Sequence, residues 1–332
     1  MDGGAFARIV ASDAGPAGGA HPDCGDTVRN AWAALFAAVE GGGDEGDRPA
    51  SPRPKPSPAA RAAAAALRLC PGVRLETRAD AEGLADFLSG AFDYLAMGDY
   101  PHPSSYITNG DGLLPAYPMR AACEAAAGGR RHPITGPAAL AALADAVGIF
   151  YNFSGTLPCY DPGAGGDSAS TDADGWLWGY QACTEQVMPM WRDGVADLGP
   201  AAPWDGDAFG AACLATYGVT PRPEWAAIQW GGRRLDGLTN VAFTNGDLDP
   251  WSGTGVTAAS AAAAGLDRQS PTLAVVPVPG GAHHLDLMFS TPADPSAVTA
   301  ARATTREHMR RWVAEARGRR VLPGGGEGVA VA

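Results

Sequence analysis

Apolar residues in the first half of the chain recur at helical spacing. Val28, Trp32, Leu35, Phe36 and Val39 share one face of a helix that Asp26 is placed to cap. Leu84, Phe87, Leu88, Phe92 and Leu95 trace a second stripe, and Leu140, Leu143 and Val147 a third, after Gly136. The Ala-rich stretch from Pro58 to Leu69 predicts another helix between the first two. From residue 149 the pattern changes. Ile149 to Phe153, Val241 to Phe243 and Leu273 to Val276 are short apolar runs of the kind that buried strands carry. Pro277 follows the last run and suits an edge strand, since it has no N–H to give to a ladder. Asp294-Pro295 predicts a closing helix, with Asp294 as cap and Pro295 in the first turn. Its inner face would be Val298, Ala301, Thr305, Met309, Trp312 and Val313, and Gly318 would end it. Strand, loop, strand, loop, helix is the order found on the C-terminal side of an α/β sheet.

Two domains are thus expected: a helical one over 1–148 and an α/β one over 149–322. Residues 41–60 are rich in Gly, Pro and charge and predict a disordered insertion in the first. Residues 161–175 and the Ala-rich 258–270 have the composition of expanded loops, and 323–332 that of a disordered tail. With 46% hydrophobic residues in 332, the chain can bury a sizeable core. No apolar run approaches the roughly 20 residues needed to cross a bilayer, so no membrane partner is expected. The start, Met1-Asp-Gly-Gly, has neither the basic nor the apolar part of a signal peptide. The net charge is −12 and Lys and Arg form no stripe, which argues against nucleic acid.

Six cysteines, Cys24, Cys70, Cys123, Cys159, Cys183 and Cys213, are spread along the chain with no CxxC and no zinc spacing. An even, dispersed set fits three disulfides in a secretory protein, and six reduced core thiols are the alternative. The triplet Asn152-Phe153-Ser154 is a glycosylation sequon, which agrees with the secretory reading.

Chemistry concentrates in two loops. Asn245-Gly246-Asp247-Leu248-Asp249-Pro250-Trp251 follows one predicted strand, and Gly280-Gly281-Ala282-His283-His284-Leu285-Asp286 follows the next. Functional groups of open α/β sheets collect at the carboxyl ends of strands. A hydrolase triad on such a sheet runs in the order Ser, Asp, His, with the last two on late loops. Asp249 and His283 fit that order: an imidazole to take a serine proton, a carboxylate to fix its tautomer. Asp247 competes for the carboxylate role. A His-His pair is also compatible with a metal or a structural role, although no further ligand cluster accompanies it.

The loop strings FTNGDLDPWSGTGV and PGGAHHLDL resemble those of the serine peptidase family that holds lysosomal Pro-X carboxypeptidase and dipeptidyl peptidase II. LAMGDYPHP, LPAYPMRAAC, YNFSGTLPCYD, GYQACTEQVMP and VTPRPEW with the following WGG also resemble its motifs and occur in the same order. The resemblance implies an α/β class, as the C-terminal part of an α/β-hydrolase sheet plus a helical cap inserted before it. It implies a serine exopeptidase that cleaves peptides beside proline, needs no cofactor, and resides in a lysosome or vacuole or is secreted. A homodimer of the full-length enzyme is a further expectation. Asp249 and His283 take the acid and base positions, and Trp251 and Met188 match positions that line a slot for proline. The implied disulfides are Cys24–Cys123, Cys70–Cys159 and Cys183–Cys213. A fourth family bridge would fall on Gly3 and Trp191, so both its halves are missing together.

Two departures stand out. The family nucleophile lies on a GGSYGG turn upstream of the cap, and this chain has no G-x-S-x-G at all. The chain alone is therefore expected to be inactive. Its strands, lacking neighbours, are expected to leave ladder edges that favour aggregation. A dipeptidyl peptidase and a non-catalytic binding protein are the alternative readings. Met288 also stands where the carboxypeptidase has arginine, close behind the histidine loop.

Overall fold

The computed structural model describes residues 2–40, 55–164, 173–232, 235, 237–263 and 272–320. The first half is a packed set of helices: α1 (Ala5–Asp13), α2 (Cys24–Val39), α3 (Pro58–Ala66), α4 (Arg78–Met97), α5 (Pro118–Ala127) and α6 (Pro137–Tyr151). Their apolar faces form one continuous core that includes Val28, Leu35, Leu88, Phe92, Leu140 and Leu143. The stripes read from the sequence are these faces. Caps explain several of the boundaries. Ser57 accepts the Ala60 N–H at the start of α3, and Thr77 and Asp80 form a reciprocal capping box on α4. Asp26 is not the cap of α2, because that helix begins two residues earlier and Asp26 sits in its first turn. There its charge still favours the helix N-terminus.

Ile149 to Phe153 is not a strand. Gly148 to Tyr151 complete α6, where Val147, Phe150 and Tyr151 are buried on the helical core. A short apolar run is compatible with either element, and packing against α2 and α5 decides it here. The helical unit reaches further still, because Leu69 bridges to Tyr160 and Cys70 is bonded to Cys159. Cys24 is bonded to Cys123, which ties α2 to α5, and Cys183 to Cys213. The last bond joins α7 (Ala173–Ala182), just past its end, to α8 (Gly206–Tyr217); α9 (Trp225–Trp230) follows. Asn152 uses both ends of its amide in a turn: Oδ1 accepts from the Leu157 N–H and Nδ2 donates to the Leu157 carbonyl.

Two parallel strands, β1 (Val241–Gly246) and β2 (Leu273–Val278), pair residue for residue from Val241↔Leu273 to Gly246↔Val278. Between them lies α10 (Ala258–Ala263), so part of the expected 258–270 loop is helical. Likewise residues 173–175 of the expected 161–175 loop open α7. The closing helix α11 (Ser296–Arg320) runs through Gly318, which does not end it. Val298, Ala301 and Trp312 of its inner face are buried, whereas Met309 and Val313 are about half exposed. The expected disorder of 41–54 and 323–332 lies outside the described residues. Residues 55–57 are described and lead into α3, and 58–60 of the expected insertion are its first turn. Among the described residues the sheet is this single pair, and all of β1 is only half-buried. Parallel strands are ordinarily covered on both faces. Large apolar side chains, Ile228, Trp230 and Phe289 among them, are exposed.

Candidate active site

Both chemical loops leave the same end of the sheet. β1 ends at Gly246, and Asp249 begins the turn Pro250–Thr254 by accepting the Trp251 N–H at 2.9 Å. β2 ends at Val278 and delivers His283 five residues later. The two side chains meet: His283 Nδ1 lies 3.0 Å from Asp249 Oδ2 and 3.1 Å from Oδ1. Both are largely but not wholly buried, with side-chain exposures of 19% and 14%.

The loops are held together below this pair. A side chain at Gly246 would put its Cβ 2.0 Å from the Gly281 carbonyl oxygen, so the approach requires glycine there. The Leu248 N–H donates to the same carbonyl at 3.1 Å. Asp247, the rival acid, accepts the Gly280 N–H at 2.6 Å and so latches the histidine loop. Asp249 is the carboxylate on the ring. His284 adopts a left-handed backbone, φ 61°, and its ring packs 3.6 Å from that of His283. Burial lowers the His284 pKa, and the neighbouring His283 lowers it further. Among the described residues no cluster of His, Cys, Asp and Glu could hold a metal.

Trp251 lies 6.3 Å from the His283 ring and packs edge-on against Phe6 and Trp178. Its indole N–H points to Met97 Sδ at 3.0 Å. It borders a cavity of about 380 Å³ whose apolar walls include Phe6, Met97 and Met190. Met188 is not among the residues lining that cavity. Its carbonyl accepts the Met190 N–H, and Met190 does line the cavity.

Several contributors are not legible from the loop strings. The His283 N–H donates to the Met97 carbonyl, and the Tyr100 hydroxyl donates to the His283 carbonyl at 2.7 Å. Arg302 of α11 donates to the carbonyls of Leu285 and Asp286 and pairs with Asp294. Asp294 therefore serves the arginine and the Thr291 N–H. Met288 packs on the sheet core. Behind the Asp loop, Asp13 of α1 is buried and its Oδ2 has no partner among the described residues, and Asp99 is buried likewise. Burial raises the Asp13 pKa to about 9, and the charges of Asp99, Asp247 and Asp249 add to the rise. Burial raises Asp99 to about 7, against the opposing effects of the Met119 N–H and Arg120.

Residues 55–305 match the family described as Serine carboxypeptidase S28. Lysosomal Pro-X carboxypeptidase of Bos taurus is 32% identical over 311 residues, covering 93% of this chain and 54% of that protein. The Homo sapiens protein of the same name is 31% identical over the same shares. Prolyl carboxy peptidase like protein 5 of Caenorhabditis elegans is 27% identical over 258 residues, 75% of this chain and 48% of that one. The chain thus spans about half the length of the curated relatives it matches.

Proposed function

The chain belongs to the serine carboxypeptidase S28 family, whose fold is the α/β-hydrolase, and on that premise we propose that it carries the acid and base of a proline-directed serine exopeptidase. The 3.0 Å contact between Asp249 and His283 Nδ1 supports this reading. A carboxylate on Nδ1 keeps the proton there and leaves Nε2 free to take a serine proton. The same imidazole, once charged, is stabilised by Asp249 and returns the proton to the leaving amine. The serine attacks the peptide carbonyl, the amine departs, and water then releases the acyl group by the same route. The relatives' name, Pro-X carboxypeptidase, favours release of a C-terminal residue that follows proline. Trp251, with Met97 and Met190 beside it, offers an aromatic and thioether surface for the pyrrolidine ring. The sequence has no G-x-S-x-G turn, so the serine comes from polypeptide outside these residues. Three disulfides and the relatives' lysosomal name support a secretory route to an acidic compartment.

The test is made on the native protein purified from its source. A fluorophosphonate probe labels it, a Pro-Phe-ended peptide loses its terminal residue, and Asp249→Asn lowers kcat about 10⁴-fold with KM little changed. Absence of a labelled serine refutes the enzyme reading and leaves a peptide-binding protein. Cleavage of an Ala-Pro amide instead refutes the carboxypeptidase assignment.

A further inference from the structure

The helical unit and the sheet have separate cores. That of the sheet consists of Leu248, Val276, Val278, Ala282, Leu285, Val298 and Ala301, together with one buried residue from the helical half, Tyr100. Tyr100 is fully buried. It follows the C-terminal end of α4, and its carbonyl accepts the Tyr117 N–H at 2.7 Å, just before α5. Its position is therefore fixed by two helices. From there its hydroxyl reaches the His283 carbonyl at 2.7 Å, while three residues earlier the Met97 carbonyl takes the His283 N–H at 3.2 Å. Both backbone groups of this one residue are held by a four-residue segment of a different structural unit, 183 positions away in sequence for the tyrosine. Met97 also meets the Trp251 N–H, so the same segment touches the acid loop. Burial raises the phenol pKa well above its ordinary value, which keeps the hydroxyl a donor.

We propose that Tyr100 is a positioning residue for His283: its hydroxyl, with the Met97 carbonyl, clamps the backbone that aims the imidazole at Asp249. The proposal rests on the reading of His283 as the base. A buried aromatic needs no hydroxyl to fill space, and the hydroxyl here lands on the one residue whose ring orientation matters most. Loss of that bond removes one of two fixed points and leaves the ring to swing about the other.

Tyr100→Phe keeps the packing and deletes the bond. The readout is deuterium exchange at the His283 C2–H, followed by mass spectrometry at micromolar concentration on the disulfide-bonded full chain, with fragmentation to separate His284. Exchange at His283 is expected to rise on the order of fivefold in Tyr100→Phe. Leu143→Val, a core variant in α6, controls for destabilisation, and both are read at equal distance below their Tm. If the two variants give the same His283 rate, Tyr100 only packs and the proposal is overturned. Asp249→Asn separates the two ideas: if it leaves the His283 rate unchanged, the acid–base reading itself fails and the clamp fails with it.

Discussion

Asp13→Asn should stabilise the protein by an amount that depends steeply on pH. Asp13 is 1% exposed, its Oδ2 has no partner among the described residues, and its pKa is raised from 3.8 to about 9. A folded pKa above the unfolded one means that the native state holds a proton the unfolded chain gives up. Stability is then greatest below the unfolded value and falls as pH rises from about 4 towards 9. Each pH unit in that window costs about 1.4 kcal/mol. Measured from 3.8, the carboxyl costs roughly 1.5 kcal/mol at pH 5 and roughly 4 kcal/mol at pH 7. Asparagine carries no such cost. Its altered hydrogen bonding adds a term that does not change with pH and cancels in the difference. The gain from Asp13→Asn is therefore expected to be about 2.5 kcal/mol larger at pH 7 than at pH 5. Because pH 7 lies below the folded pKa, that difference does not depend on how far above 8 it sits. Urea titrations of the disulfide-bonded chain at the two pH values measure it, with the exposed Asp26→Asn as control. A gain that is the same at both values would refute the argument, since it would mean that Asp13 is ionised in the folded state.

Gly246→Ala should force the two loops apart, because its Cβ would lie 2.0 Å from the Gly281 carbonyl oxygen. A loss of about 3 kcal/mol, read as a lower urea midpoint, is expected together with faster His283 C2–H exchange. The disulfides should differ in value with the loop each closes. Cys70–Cys159 closes 89 residues and Cys183–Cys213 closes 30. Chain entropy alone gives about 4.5 kcal/mol for the first and about 3.5 for the second, so replacing the first pair by serine should lower the midpoint more.

Local rules carried the sequence reading where the signal was local. Three apolar stripes became helical faces because their period is that of one element and they needed only a shared core to bury into. The same rules failed at Ile149 to Phe153, where five apolar residues fit a strand as well as a helix end and only the neighbours decide. They failed again at Gly318, because a glycine stops a helix only where its backbone leaves the helical conformation, and Gly318 stays helical. Composition predicts loops at 258–270 and 161–175, but it measures entropy and not position, and 258–263 and 173–175 are helical.

The meeting of the Asp249 and His283 loops is legible in the sequence because parallel strands deliver their functional groups at one end, so order along the chain stands in for proximity. What order could not supply is the choice between two aspartates. Asp247 and Asp249 lie two residues apart and both have a carboxylate to offer. The structure separates them by partner: the first takes a backbone N–H of the histidine loop, the second the imidazole. The two jobs are complementary, since the latch through Asp247 brings the histidine loop to where Asp249 can reach the ring. The contribution of the helical half was likewise beyond any local rule. Met97 and Tyr100 bond through a carbonyl and a hydroxyl to a residue more than 180 positions away, and nothing in an apolar pattern encodes that reach. The site is therefore better described as a sheet-borne Asp249–His283 contact held by the helical unit than as two loops that suffice alone. A substitution in the α4–α5 junction that spares both loops should still disturb the imidazole.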